Sequence, residues 1–171
     1  MEKNAKIILV GFMGAGKTYL GKELAKQLKV PFIDSDKEIE KEYKKSINQM
    51  FESEGEEAFR LKEQNFLKGL NDKKSFVLAT GGGMPCYSVN MDLLNNLGLT
   101  VYIRLSTKVL AKRLLKNSEN RPLIIDNQLE QLQSFIKEKL AVREQFYNNA
   151  HIVLEEKDQT VDSLLKLLKD E

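Results

Sequence analysis

The stretch Gly11-Phe12-Met13-Gly14-Ala15-Gly16-Lys17-Thr18 sets two glycines, a lysine and a hydroxyl residue in the register G-x-x-x-x-G-K-[ST]. A loop of this kind turns its backbone N–H groups inward and, with the positive end of a following helix, surrounds a phosphate chain. Lys17 then reaches the β- and γ-phosphates as a point charge, and the Thr18 hydroxyl ligates Mg²⁺. Gly14, Ala15, Gly16, Lys17, Thr18 and Tyr19 are therefore expected to bind a nucleoside triphosphate such as ATP.

Transfer of a phosphoryl group also requires an acceptor held in line and water kept out. Asp34-Ser35-Asp36 offers two carboxylates spaced i, i+2, one for the waters around a metal and one for an acceptor hydroxyl. The same pattern equally caps a helix. Gly81-Gly82-Gly83 puts no side chain between backbone and ligand, so a ring or phosphate can reach its N–H groups; the alternative is a tight turn. Arg60 and Arg143 fall on expected helices, where each can fork onto a carboxylate or pair with a surface acid. Phe51 and Phe59 belong to the core or to the apolar wall of a pocket. His151 opens an expected strand far from any motif and is given no catalytic role, and Cys86 is expected to be an inert small residue.

These groups need elements to hold them. Residues 7–10, 30–33, 76–79, 101–105 and 152–154 read as short apolar strands separated by helical patterns, which predicts an α/β three-layer sandwich around a five-stranded parallel sheet. After Thr18, Leu20, Leu24 and Leu28 recur at the spacing of a buried helix face. Ligands should gather where the parallel strands end. Two segments break the alternation. The first, about 36–70, holds a charged helix through Tyr43, then Ser46 as N-cap of 47–53, Gly55 as a stop and a longer helix to Leu70. The second, about 116–127, is polar and suits a lid.

The 171 residues, 42% hydrophobic and 30% charged, describe one domain spanning 1–171. Lysine plus arginine (27) nearly balances aspartate plus glutamate (25), so bulk charge makes no case for nucleic acid or a membrane surface. No apolar run approaches membrane-spanning length, the start lacks a secretory signal's apolar core, and a single cysteine suits a reducing cytoplasm. No long exposed apolar pattern is present, which points to a monomer.

The P-loop, the Asp34-Ser35-Asp36 turn, Phe59-Arg60-Leu61-Lys62-Glu63, Gly81-Gly82-Gly83, Arg121-Pro122-Leu123 and Arg143 with Tyr147 occur in an order and spacing that resembles the shikimate kinases. These belong to the nucleoside-monophosphate-kinase branch of P-loop proteins, and the resemblance covers nearly the whole chain. It implies a P-loop kinase fold and transfer of the ATP γ-phosphate to the 3-hydroxyl of shikimate, giving shikimate 3-phosphate and ADP on the route to chorismate and the aromatic amino acids. By the same resemblance, Asp34 holds magnesium through water, and Asp36 holds shikimate hydroxyls and accepts the proton. Arg60, Arg143 and the glycines at 81–83 bind shikimate, while Phe51 and Phe59 line its ring. Arg121 closes from the lid over the phosphates, and Arg113 lies against adenine. Two departures are visible: Tyr19 replaces a small hydroxyl residue, and Lys157-Asp158-Gln159-Thr160 matches the adenine-side loop only loosely.

Two other readings differ in the acceptor or the class. A gluconate or nucleoside monophosphate kinase shares the architecture, but a second phosphate needs cations, and the first insertion offers mainly Arg60 amid Glu52, Glu54, Glu56 and Glu57. A nucleotide-dependent switch needs no acceptor, yet the guanine-reading Asn-Lys-x-Asp motif is missing.

Overall fold

The apolar runs form five strands, β1 (Lys6–Val10), β2 (Phe32–Asp34), β3 (Phe76–Ala79), β4 (Leu99–Ile103) and β5 (Ile152–Leu154). The structure is a computed structural model and describes residues 5–117 and 126–168. All strand pairs are parallel, in the order β2-β3-β1-β4-β5. Central β1 is covered on both faces, which is why Ile7, Ile8, Leu9 and Val10 form an unbroken apolar run with no alternation. The helices are α1 (Lys17–Leu28), α2 (Ser35–Tyr43), α3 (Ile47–Lys68), α4 (Asn90–Leu97), α5 (Thr107–Asn117), α6 (Asp126–Tyr147) and α7 (Val161–Leu167). Among the described residues, no helix is long and apolar enough to cross a membrane.

Two strands, β2 and β4, shift from their sequence-based positions, and β1 begins one residue earlier. β2 starts at Phe32, not Val30, because the left-handed Lys29 (φ 57°) ends α1, and the chain needs Val30 and Pro31 to reach the sheet. The later start delivers Asp34 to the strand's C-terminal end. β4 runs from Leu99 to Ile103, earlier than 101–105, in register with β1 from Ile7 to Val10.

The insertion is a helical hairpin on the end of the sheet. Ser46 caps α3 through a reciprocal pair: the Gln49 N–H donates to Ser46 Oγ (3.2 Å) and the Ser46 N–H donates to Gln49 Oε1 (2.9 Å). Gly55 ends the first helical stretch, as the sequence predicts, and a second stretch begins directly after the kink it makes. Its φ of 84° and ψ of 169° leave helical space for one residue, and helical turns continue on both sides. The segment from Ser118 to the residue before α6, with Arg121-Pro122-Leu123 and most of the expected lid, lies outside the described residues.

Candidate active site

The P-loop leaves the end of β1 and becomes α1. Gly14 and Gly16 have φ of 80° and 95°, values open to glycine, and Gly16 caps α1 without a side-chain hydrogen bond. The amides at the start of α1 are therefore left for a ligand, in the place a phosphate chain requires. Lys17 is buried and donates from Nζ to the carbonyls of Gly11 (2.7 Å) and Phe12 (2.9 Å). Burial pulls its ammonium down to about 8, against the opposing charges of Asp36 and Asp34. A cleft of about 520 Å³ opens over the loop, with Lys17, Thr18, Asp34, Asp36, Gly82 and Arg113 on its walls. Tyr19 stands on its rim, 74% exposed.

Asp34 and Asp36 both line this cleft, and the first of them also caps a helix. Asp34 caps α2, its Oδ1 accepting from the Lys37 N–H (3.4 Å), while its Oδ2 accepts from the Thr18 hydroxyl (3.0 Å). Thr18 and Asp34 thus bring hard oxygen donors together beside the phosphate cradle, a donor set that suits Mg²⁺. Asp36, two residues on in the first turn of α2, lines the same cleft. Burial, then the negative charge of Asp34, raises the proton affinity of its carboxyl, with Lys17 pulling the other way. A carboxylate so placed is a better proton acceptor than an ordinary aspartate.

The triple glycine follows β3 and is fixed from two sides. The Thr80 N–H and hydroxyl both donate to Leu9 O (3.1 Å each), and the Gly81 N–H donates to the buried Ser35 hydroxyl (2.9 Å). Each glycine borders a different charged group. A Cβ on Gly81 would collide with the Asp36 carboxylate. One on Gly83 would lie 2.6 Å from Arg60 Nη2. One on Gly82 would lie 3.3 Å from the Met13 N atom of the P-loop and 3.7 Å from Arg143 Nη1. The turn is thus a wall without side chains between the phosphate cradle and two guanidinium groups.

Arg60 is not a surface residue. It is 8% exposed and pairs with Glu63, 1% exposed, at 2.7 Å and with Glu56 at 2.9 Å. Burial pushes the Glu63 carboxyl up to about 7 against the pull of Arg60. The Phe51 and Phe59 rings lie 4.7 Å apart, and the Arg60 guanidinium is 5.7 and 5.5 Å from their centres. Phe59 is buried and Phe51 half-buried. Arg143, on α6, lies with its guanidinium 5.5 Å from the Phe12 ring centre. Arg113, on α5, donates from Nη1 to Ala15 O (3.1 Å) and from Nη2 to Gln159 Oε1 (2.9 Å).

Four residues escaped sequence reasoning as individuals. Ser35 and Glu63 stood inside quoted motifs, and their sign was a polar residue one or three positions from a singled-out charge. Tyr147 donates to Gly82 O at 2.5 Å, and Gln159 donates to Ala15 O at 3.1 Å. Only the folded chain reveals these last two contacts. Cys86 is half-buried, and burial raises its thiol's pKa, which fits the inert role expected of it.

A P-loop at the end of β1, hard oxygen donors beside it and a side-chain-free glycine wall bordered by two guanidinium groups define a P-loop kinase. The family model for shikimate kinase matches residues 13–170. A shikimate kinase of Azobacteroides pseudotrichonymphae genomovar. CFP2 is 43% identical over 164 residues, which are 95% of this chain and 96% of that one. The crystal structure of shikimate kinase from Bacteroides thetaiotaomicron superposes with a TM-score of 0.86 at 36% identity, over 96% of this chain and 98% of that one. The enzyme from Acinetobacter baumannii in complex with shikimate gives 0.83 at 35% identity, over 99% and 95%. The chain belongs to the shikimate kinase family, the ATP-dependent kinases of aromatic biosynthesis.

Proposed function

We propose that this chain, a single domain over 1–171, transfers the ATP γ-phosphate to the 3-hydroxyl of shikimate through the residues gathered at the ends of β1, β2 and β3. The observation that carries the division of roles is the glycine wall: Gly81, Gly82 and Gly83 border Asp36, Arg143 and Arg60 respectively, and Gly82 also borders the P-loop. Shikimate is a small carboxylate with three hydroxyls, so two guanidinium forks suit its carboxylate, Asp36 its hydroxyls and bare backbone its ring. Phe51 and Phe59 close the apolar side.

Lys17 and the amides of 14–19 hold the ATP phosphates, and Arg113 braces the loop from the adenine side. Thr18 would ligate magnesium directly and Asp34 would hold it through water, and the bound ion would supply neutralisation of phosphate charge. Lys17 leaves its two loop carbonyls for the phosphates when ATP binds. Asp36 orients the acceptor hydroxyl and takes its proton as the bond to phosphorus forms. Arg121 closes over the phosphates from the lid and helps to exclude water. The protein acts as a cytoplasmic monomer on ATP and shikimate, with no nucleic acid or membrane partner.

The deciding experiment is ADP release from Mg-ATP with and without shikimate. A strong shikimate-dependent rate is expected. A rate unaffected by shikimate, or a faster one with gluconate or AMP, would reject the acceptor while leaving the nucleotide site intact.

A further inference from the structure

The three carbonyls of the glycine turn have different partners. Gly81 O accepts from the Met84 N–H (3.2 Å) and Gly83 O from the Cys86 N–H (3.1 Å), both ordinary backbone bonds of the turn. Gly82 O instead accepts from the Tyr147 hydroxyl at 2.5 Å, with Cys86 Sγ further off at 3.9 Å. The distinction matters because the Gly82–Gly83 peptide has no Cβ on either flank, so sterics do little to stop it from rotating as a plane. When its carbonyl is held toward α6, its N–H must point the opposite way. Tyr147 can hold it firmly. The side chain is fully buried, its ring lies 5.1 Å from that of Tyr102, and burial keeps its hydroxyl protonated as a donor. Arg143 stands one helical turn before Tyr147, and its carbonyl O is met by Cys86 Sγ at 3.9 Å. The last turn of α6 and the glycine turn are therefore laced together in both directions.

We propose that Tyr147 is a positioning residue of the acceptor pocket: it pins the Gly82 carbonyl and so sets the glycine wall and the Arg143 guanidinium in a common register. The inference rests on the assignment of Gly82 and Arg143 to shikimate. Tyr147 touches no reacting atom, so its loss should be felt in acceptor binding before chemistry.

The test is Tyr147→Phe, which keeps the ring against Tyr102 and removes only the hydroxyl, with Arg143→Ala measured in parallel. For Tyr147→Phe the shikimate KM is expected to rise about tenfold, with kcat reduced less than about threefold and the ATP KM within about twofold of the parent. Equal rises in both KM values, or loss of the native circular dichroism spectrum, would make Tyr147 a general fold determinant and overturn the proposal. An unchanged shikimate KM in Tyr147→Phe beside a weakened Arg143→Ala would overturn the positioning role alone. No weakening in either variant would overturn the pocket assignment and the positioning role with it.

Discussion

In the proposed reaction two side chains with shifted proton affinities, Lys17 and Asp36, carry the chemistry. Lys17 holds its proton only up to about pH 8 in the folded chain, because burial disfavours its charge more than Asp36 and Asp34 favour it. In the unfolded chain a lysine keeps its proton to about 10.4, so between these values the unfolded state binds more protons, and this group makes the ligand-free protein more stable as pH rises. ATP has the opposite demand, since its phosphates select the ammonium. ATP affinity is therefore expected to fall about tenfold per pH unit above about 8, with proton uptake on binding, as calorimetry at several pH values would record. A flat profile would mean that the ammonium does not pair with the phosphates. Asp36→Asn keeps the shape and removes the base; kcat is expected to drop at least about a hundredfold in steady-state assays, and an unaltered kcat would remove Asp36 from the mechanism.

At the scale of elements, the insertion works through one bend. Gly55 at φ 84° and ψ 169° lets α3 change direction between Phe51 and Phe59, so that both rings meet the Arg60 guanidinium. A Cβ there has open space around it, so the cost of Gly55→Ala is conformational and not a clash. That substitution is expected to destabilise the protein by about 1–3 kcal/mol in urea unfolding and to raise the shikimate KM more than the ATP KM. Unchanged stability and KM values would mean that the bend is not needed. The N-terminal end of the same helix is tied separately, by the Ser46–Gln49 capping pair, so the bend alone sets how the two halves of α3 meet.

For the molecule as a whole, the proposed donor and acceptor sites would share the glycine wall but draw on distant parts of the chain: the loop after β1, the turn after β3, α3 and α6. Each ligand should therefore tie separate layers together and stabilise the native state. At a hundred times its Kd, either one is expected to add about 2.7 kcal/mol. For a domain of this size, that raises Tm by roughly 5–10 °C. A thermal melt that responds to ATP and not to shikimate would contradict an acceptor pocket built into the ligand-free fold.

The sequence by itself determined the sheet, the phosphate cradle, the Ser46 cap and the two aspartates. These follow from strand periodicity, glycine and capping chemistry acting over a few residues. The ends of β2 and β4 were less legible, since a left-handed Lys29 and the pairing register decide them. Side-chain partnership was decided by tertiary structure. Periodicity says that a helix face is buried, but not which surface it meets. Arg60 alone could read as a surface ion pair, and the covering of α3 made it a buried one with Glu63. Tyr147 reaches Gly82 across 65 positions and Gln159 reaches Ala15 across 144. No local pattern encodes such contacts, because they exist only after the sheet has brought the ends of its strands to one side and closed α6 and the C-terminal loop over them.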